Sequence, residues 1–454
     1  MENKKIVLIG SGSQFTEFFL QEIFKYPELK GLTIALVDRN PERLKVVKGI
    51  SDKISETLDF DIKFEGYTDR RDALPGADLV FSFIAVNLKE AWNNDLLFCK
   101  RHGLNPYEFH TSSIGSLSMG IRHIPPHMDI CKDIEELCPD AWFIIESNPL
   151  TKILAAIFRH TKVKCVGYCY GHELIQVAVE QILALDEQSN ETLEVEAFER
   201  EFMIAGDTVS VLAMGVNHMG WVMTMRDTAT GEDLYPAFRE KCLRIPVEKI
   251  PLGYRYSVEL MNRLGYIPLP ADVHVADYIW NADETIAKRT NLTPFNPFES
   301  FGGRGADSWG EMAEELCDRE SIEAFIKLRK NGWQSVKLAC IMLGGKYEYF
   351  PAVNIMNNGC ISNMSDDVVV EVPGVVGPDY VGGLSMGKLP EELQPYCELH
   401  GIQSNLIADA AAFGDKSKAL KAMLMDPFLA SVTRADAMVD EVIEINRQYD
   451  TRFK

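Results

Sequence analysis

The first 185 residues alternate short apolar runs with stretches of helical periodicity, and this rhythm limits the fold more than any other property of the chain. Ile6–Ile9, Thr33–Val37, Ile62–Tyr67, Leu79–Ala85, Trp142–Ser147 and Lys164–Tyr168 read as strands. Their nearly continuous apolar character belongs to strands covered on both faces. Between them, Thr16–Tyr26 and Pro41–Leu58 carry the period of amphipathic helices. Such alternation builds a parallel sheet with helices on both sides. The order predicts an α/β fold, a doubly wound Rossmann-type domain over residues 1–185 that binds its ligand across the carboxyl ends of the strands.

From residue 186 the texture changes. A Glu-rich stretch leads into F-M-I-A-G-D-T-V-S-V-L-A-M-G-V-N-H and V-M-T-M-R-D, which predict antiparallel strands joined by a hairpin. Helices are predicted at Val258–Leu264, Trp309–Lys330, Gln334–Leu343, Leu406–Met425 and Arg434–Arg447. Residues 186–454 thus read as an α+β domain packed on the first, as 454 residues exceed what one core usually supports. A formal net charge of −21 argues against non-specific affinity for nucleic acid or anionic membrane. No run of eighteen apolar residues predicts a membrane span. Ten cysteines without a C-x-x-C pair, behind an N-terminus with no signal-peptide pattern, suit a reducing cytoplasm.

Gly10, Ser11, Gly12 and Ser13 directly follow the first strand and open a helix. Absent side chains permit a tight turn there, and backbone N–H groups can approach a pyrophosphate at the helix N-terminus. Phe15 stands where a third glycine is common, and any strand–helix turn can hold glycines. Asp38, ending the second strand, strengthens the reading: a carboxylate there accepts ribose hydroxyls and repels a 2′-phosphate, favouring NAD over NADP. Arg39 beside it works against that preference.

Asn148-Pro149 ends the fifth strand, Cys169 ends the sixth, and Asn217-His218 follows in G-V-N-H. Taken singly they read as a turn dipeptide, a buried thiol and a capped turn. Taken in order, G-x-G, Asp, Asn-Pro, G-x-C and G-x-N-H form a set that chance does not readily supply. With A-D-L-V-F-S-F-I at 77–84, G-I-R-H-I-P around Arg122, S-N-P at 147–149, I-P-L-P-A-D-V-H-V-A-D-Y at 267–278 and V-N-I-M-N-N-G-C-I-S-N-M at 353–364, the chain resembles glycoside hydrolase family 4 over nearly its full length. Members are NAD- and metal-dependent glycosidases related in fold to lactate and malate dehydrogenases. The chain is more similar to the α-glucosidase, α-galactosidase and α-uronidase branch, because Asp272 stands where 6-phospho-β-glucosidases carry a tyrosine base.

The resemblance implies that Cys169 and His218 ligate a divalent metal, usually Mn²⁺, that Asn148 holds sugar hydroxyls and that Asp272 removes the C2 proton. It implies hydride transfer from C3 to NAD⁺, metal-assisted acidification of C2, elimination of the aglycone, addition of water and return of the hydride. This departs from two-carboxylate glycoside hydrolysis. Asn217, Tyr170, His172, Arg122 and His274 are further candidates for substrate contact, and Arg304 could grip a uronate carboxylate. Asp277 reads as solvated. The implied partner is a small glycoside, an α-hexoside or α-hexuronide, and relatives assemble as homodimers or homotetramers. Tyr170 replaces a histidine that many relatives carry after the cysteine. The stretch T-S-S-I-G-S-L-S-M-G-I-R, read as a loop, is poorer in glycine than theirs. Two other readings of the same fold are a 2-hydroxy-acid dehydrogenase and a non-catalytic sugar or NAD sensor.

Overall fold

All six apolar runs form strands. In a computed structural model describing residues 1, 3–104, 107, 111–185, 208–279, 284–292, 308–328, 334–426 and 432–453, they are β1 (Lys5–Ile9), β2 (Leu32–Val37), β3 (Ile62–Tyr67), β4 (Leu79–Ser82), β5 (Trp142–Ile145) and β6 (Lys164–Gly167). They lie parallel in the order β3-β2-β1-β4-β5-β6, that of the doubly wound dinucleotide fold. Successive residues feed opposite faces. Ile6 and Leu8 join one hydrophobic core and Val7 and Ile9 the other, so both faces are covered.

The helices of this half are α1 (Gln14–Ile23), α2 (Pro41–Thr57), α3 (Arg70–Ala73), α4 (Leu88–Arg101), α5 (Ser113–Leu137), α6 (Leu150–His160) and α7 (Gly171–Ala184). α2 starts where the sequence says it should: the Asn40 side chain accepts from the Glu42 and Arg43 N–H groups, and Pro41 takes the first position. The stretch read as a loop before Arg122 is instead the first half of α5, a helix of 25 residues. It is buried along most of its length, against α6 and the helix Gln394–Phe413. Burial there overrides the weak helix propensity of its glycines and serines.

The sheet does not stop at β6. It continues through β9 (Glu348–Met356), β10 (Val369–Val376), β7 (Val209–Val216) and β8 (Met219–Asp227), all antiparallel, with β11 (Val381–Gly383) on β10. The second half is therefore an α+β unit whose strands extend the parallel sheet. β7 and β8 are the predicted hairpin, closed by the two residues Asn217 and His218. One line of register crosses the junction: Gly167 pairs Asn354, Asn354 pairs Glu371, and Glu371 pairs Gly215. Cys169 and Asn217 each come two residues after an end of that line.

Two predicted helices are each broken in two. Trp309–Lys330 becomes Trp309–Glu315 and Arg319–Lys327, because Asp318 and Ser321 form a capping box that starts a new helix. Leu406–Met425 is cut after Phe413 by Gly414, with φ of +70°. Among the described residues no helix is long and apolar enough to cross a membrane.

Candidate active site

At the end of β1 the chain turns through Gly10, whose φ of +86° favours glycine. The N–H groups of Gly10 and Ser11 donate to the Val37 carbonyl at 2.9 and 3.0 Å, tying the turn to the end of β2. The Gly12 N–H donates to Asp38 Oδ2 at 2.8 Å, and Asp38 Oδ1 accepts from the Asn40 N–H at 2.8 Å. A Cβ on Gly12 would lie 2.5 Å from Asp38 Oδ2 and 2.1 Å from Arg43 Cδ. Ser13 caps α1, accepting from the Phe15 N–H at 3.3 Å. From the second half, buried Trp309 donates its indole N–H to the Gly12 carbonyl at 2.9 Å. The Ser11 hydroxyl is buried with no hydrogen-bond partner among the described residues. A glycine turn packed too closely on Asp38 and Arg43 for a side chain at residue 12, at a helix N-terminus and beside an orphaned hydroxyl, fits a dinucleotide pyrophosphate.

The carboxyl end of β6 and the hairpin tip bring Cys169 Sγ within 3.7 Å of His218 Nε2. His218 holds the second turn position with φ of +65°, the left-handed backbone that several tight turns require there. Its Nδ1 lies 3.1 Å from Thr111 Oγ1, and its ring stacks on His274 with centroids 4.0 Å apart. With the bond lengths of a tetrahedral zinc site, about 2.3 Å to sulfur and 2.1 Å to nitrogen, two ligands lie about 3.6 Å apart. The observed separation fits one shared ion. Among the described residues no group of three or more His, Cys, Asp or Glu gathers as a ligand cluster.

The register line supplies the surroundings of this pair. Asn217 donates its amide to Glu371 Oε2 at 3.4 Å, and Asn354 donates to Oε1 at 3.2 Å. Burial pushes the Glu371 carboxyl up to about 7, against the pull of those two amides. Burial also pushes the Cys169 thiol up to about 12, with the Glu371 charge adding to it and the Asn217 amide opposing. A cation at the sulfur reverses that balance, because it stabilises the thiolate directly.

Asp272 opens the helix Asp272–Tyr278 and is buried. Its Oδ2 accepts from the Tyr256 N–H at 2.8 Å, and its Oδ1 accepts from the Ser257 N–H at 2.8 Å and hydroxyl at 2.7 Å. The carboxylate thus anchors the start of the helix Arg255–Leu264. Burial raises its pKa to about 6, against these hydrogen bonds. The Arg255 backbone N–H adds a fourth influence that favours the ionised carboxylate. Buried Tyr254 has its phenol pushed well up by burial, and by the charges of Asp272, Tyr170 and Cys169. Asn148 sits at the end of β5 in a cis peptide with Pro149, its Oδ1 accepting from the Leu150 N–H at 3.4 Å.

One expectation needs correction, and two candidate residues are held by the protein itself. The buried Arg122 guanidinium pairs with Asp95 Oδ2 at 2.6 Å and bonds Ser118 and Asn446 at 2.9 and 2.8 Å. His172 is buried with Nε2 on the Val211 carbonyl at 2.9 Å, bracing α7 against β7. Asp277 is buried rather than solvated and accepts from the Tyr107 N–H at 2.6 Å. Arg304 lies outside the described residues. Tyr254 and Glu371 carry no local signal that would have marked them, and Thr111 and Asn354 lie in stretches singled out without a role for either residue.

Comparison with known proteins gives this fold a family. The family model "Family 4 glycosyl hydrolase" matches residues 5–185, and the model of that family's C-terminal domain matches residues 213–429. An α-galactosidase of Bacillus subtilis is 26% identical, with 97% of this chain and 96% of the relative covered. A probable 6-phospho-β-glucosidase of the same organism is 29% identical, with 99% and 98% covered. The solved structure of a 6-phospho-α-glucosidase from gut microorganisms, in complex with NAD and Mn²⁺, superposes with a TM-score of 0.75 at 19% identity, covering 99% of this chain and all of the other. With the dinucleotide half and the hairpin half each matched in their order along one sheet, the chain belongs to family 4 of the glycosyl hydrolases.

Proposed function

We propose that this protein is an α-glycosidase that works with NAD and a divalent metal, Mn²⁺ in the first instance, on α-hexosides or α-hexuronides. The observation that carries the reading is the approach of Cys169 and His218 to 3.7 Å at the end of a sheet whose other half ends in a dinucleotide cradle. Gly10, Ser11, Gly12, Ser13 and Asp38 would hold the dinucleotide, and Cys169 and His218 the metal. When bound, NAD⁺ supplies a hydride acceptor for C3 and Mn²⁺ a Lewis acid for the ketone that results.

The remaining work falls to the chain. Asp272 takes the C2 proton, and its three hydrogen bonds fix the carboxylate so that the proton is removed without reorganising the base. Its pKa of about 6 leaves it ionised at neutral pH yet basic enough to act. Asn148, Asn217, Tyr170 and His274 orient the sugar. The two ligands Cys169 and His218 leave positions open for sugar oxygens. Ten free thiols, one of them a ligand, suit a cytoplasmic protein, and we assign it there as a homodimer or homotetramer. We divide it functionally into residues 1–185, which carry the dinucleotide, and 186–454, which carry the base and His218.

The test is a panel of aryl α-glycosides and α-uronides with NAD⁺, Mn²⁺ and a thiol reductant. Turnover should exchange deuterium at C2 with solvent. Hydrolysis without NAD⁺, or at the wild-type rate in Cys169→Ser, would overturn the mechanism.

A further inference from the structure

His218 has two ring nitrogens with different neighbours. Nε2 faces Cys169 Sγ at 3.7 Å, and Nδ1 faces Thr111 Oγ1 at 3.1 Å. An imidazole can offer a lone pair at Nε2 only if its neutral form carries the proton on Nδ1. In that tautomer Nδ1–H donates to the Thr111 hydroxyl.

Thr111 is itself held from two directions. Its carbonyl accepts from the Tyr278 hydroxyl at 2.7 Å and from the Lys152 ammonium. Lys152 lies on α6, four residues after Asn148, and is 2% exposed. Tyr278 ends the helix that Asp272 begins, and its carbonyl is met by His400 Nε2 at 3.2 Å. Thr111 is 3% exposed, so water does not compete for its contacts. One threonine therefore links the hairpin tip, the helix after Asn148 and the helix of the base.

We propose that Thr111 is the positioning residue of the His218 ligand. Its hydroxyl fixes the tautomer and ring plane, and Lys152 and Tyr278 fix Thr111 in turn. Partners of this kind orient metal-bound histidines and are worth about 10- to 100-fold in metal affinity. The inference rests on the reading that Cys169 and His218 hold a metal.

The experiment uses the full chain with Thr111→Val, which keeps the shape and removes the hydroxyl, and Thr111→Ser, which restores it. Mn²⁺ affinity is measured by electron paramagnetic resonance without substrate, NAD⁺ affinity by calorimetry, and the His218 tautomer in the metal-free protein by ¹⁵N-histidine NMR. Thr111→Val should bind Mn²⁺ about 10- to 100-fold more weakly, Thr111→Ser within about threefold of wild type, and both should bind NAD⁺ as wild type does. If Thr111→Val does not fold, the wild-type tautomer decides alone. A proton on Nε2 there, or unchanged Mn²⁺ affinity in folded Thr111→Val, overturns the assignment. Loss of the metal reading looks different: Co²⁺ added to wild type would give no thiolate-to-cobalt absorption band, whatever the state of Thr111.

Discussion

The two ends of the site are built by opposite means. The proposed dinucleotide cradle comes from one short segment, residues 10–13, plus one carboxylate at the end of the neighbouring strand. The proposed metal end draws on residues 169, 217, 218, 354 and 371, which the register of β6, β9, β10 and β7 brings together, and on residues 111 and 274, which helix packing adds. A local device tolerates change elsewhere in the chain, whereas a device assembled by strand pairing depends on every strand in the row. Variants should therefore separate the two ends cleanly if the division is real.

The largest separation is expected from Cys169→Ser and His218→Ala. Losing the Lewis acid removes several kcal/mol of transition-state stabilisation, on the order of 10³-fold or more in kcat/KM. Calorimetry should find NAD⁺ affinity unchanged; a matching loss of NAD⁺ binding would break the comparison. Asp272→Asn comes next, at about 10²- to 10⁴-fold in kcat, with C2 deuterium exchange lost in the same measure. The same carboxyl carries a pH signature. Its folded pKa of about 6 exceeds the ordinary 3.8, so the folded state binds more protons across that window. Stability from this group is therefore present at low pH and lost as pH rises towards 6. Thermal unfolding from pH 4 to 7 should show that decline flattened in Asp272→Asn, while wild-type kcat/KM climbs through pH 6 as the base ionises.

Gly12→Ala tests the other end. The Arg43 side chain can swing away from the new methyl, but Asp38 must shift from its 2.5 Å approach. NAD⁺ affinity should fall about tenfold, roughly 1.4 kcal/mol, with Mn²⁺ affinity intact. The smallest effect is expected from Glu371→Gln, which keeps the side chain's shape and removes a buried charge. Mn²⁺ binding should weaken by a few fold, and the Cys169 thiol should titrate lower in the metal-free protein, because the Glu371 charge holds it up. A Cys169 titration unmoved by Glu371→Gln would show that the register line does not reach the sulfur.

The same contrast explains what could be read from the chain. The six parallel strands were legible because burial on both faces writes them as continuous apolar runs, and the turn at residues 10–13 because its glycines sit next to one another. β9 and β10 were not, since Pro351 and Pro373 stand inside them, where proline argues against a strand. β10 accommodates this with a bulge between Val372 and Gly374. Arg122 looked like a site residue because it lies in a family segment, yet its partner Asp95 is 27 positions away on α4, and nothing local announces that pairing. Cys169, His218 and Asp272 were visible only as members of a recognised set. Thr111 and Glu371 belong to no motif, and their places follow from strand register and packing.

The interleaving of strands also imposes an order of assembly. β7 and β8 precede β9 and β10 in the chain, yet β9 and β10 lie between them and β6. During synthesis all six parallel strands are present once β6 has emerged, although α5 and α6 gain their full cover only with the helix Gln394–Phe413. The hairpin bearing His218 must wait at the margin until residues 348–376 arrive to bridge the gap. A nascent chain stopped short of β9 would lack the strands that join the hairpin to β6, so the approach of Cys169 to His218 is among the last features this protein acquires.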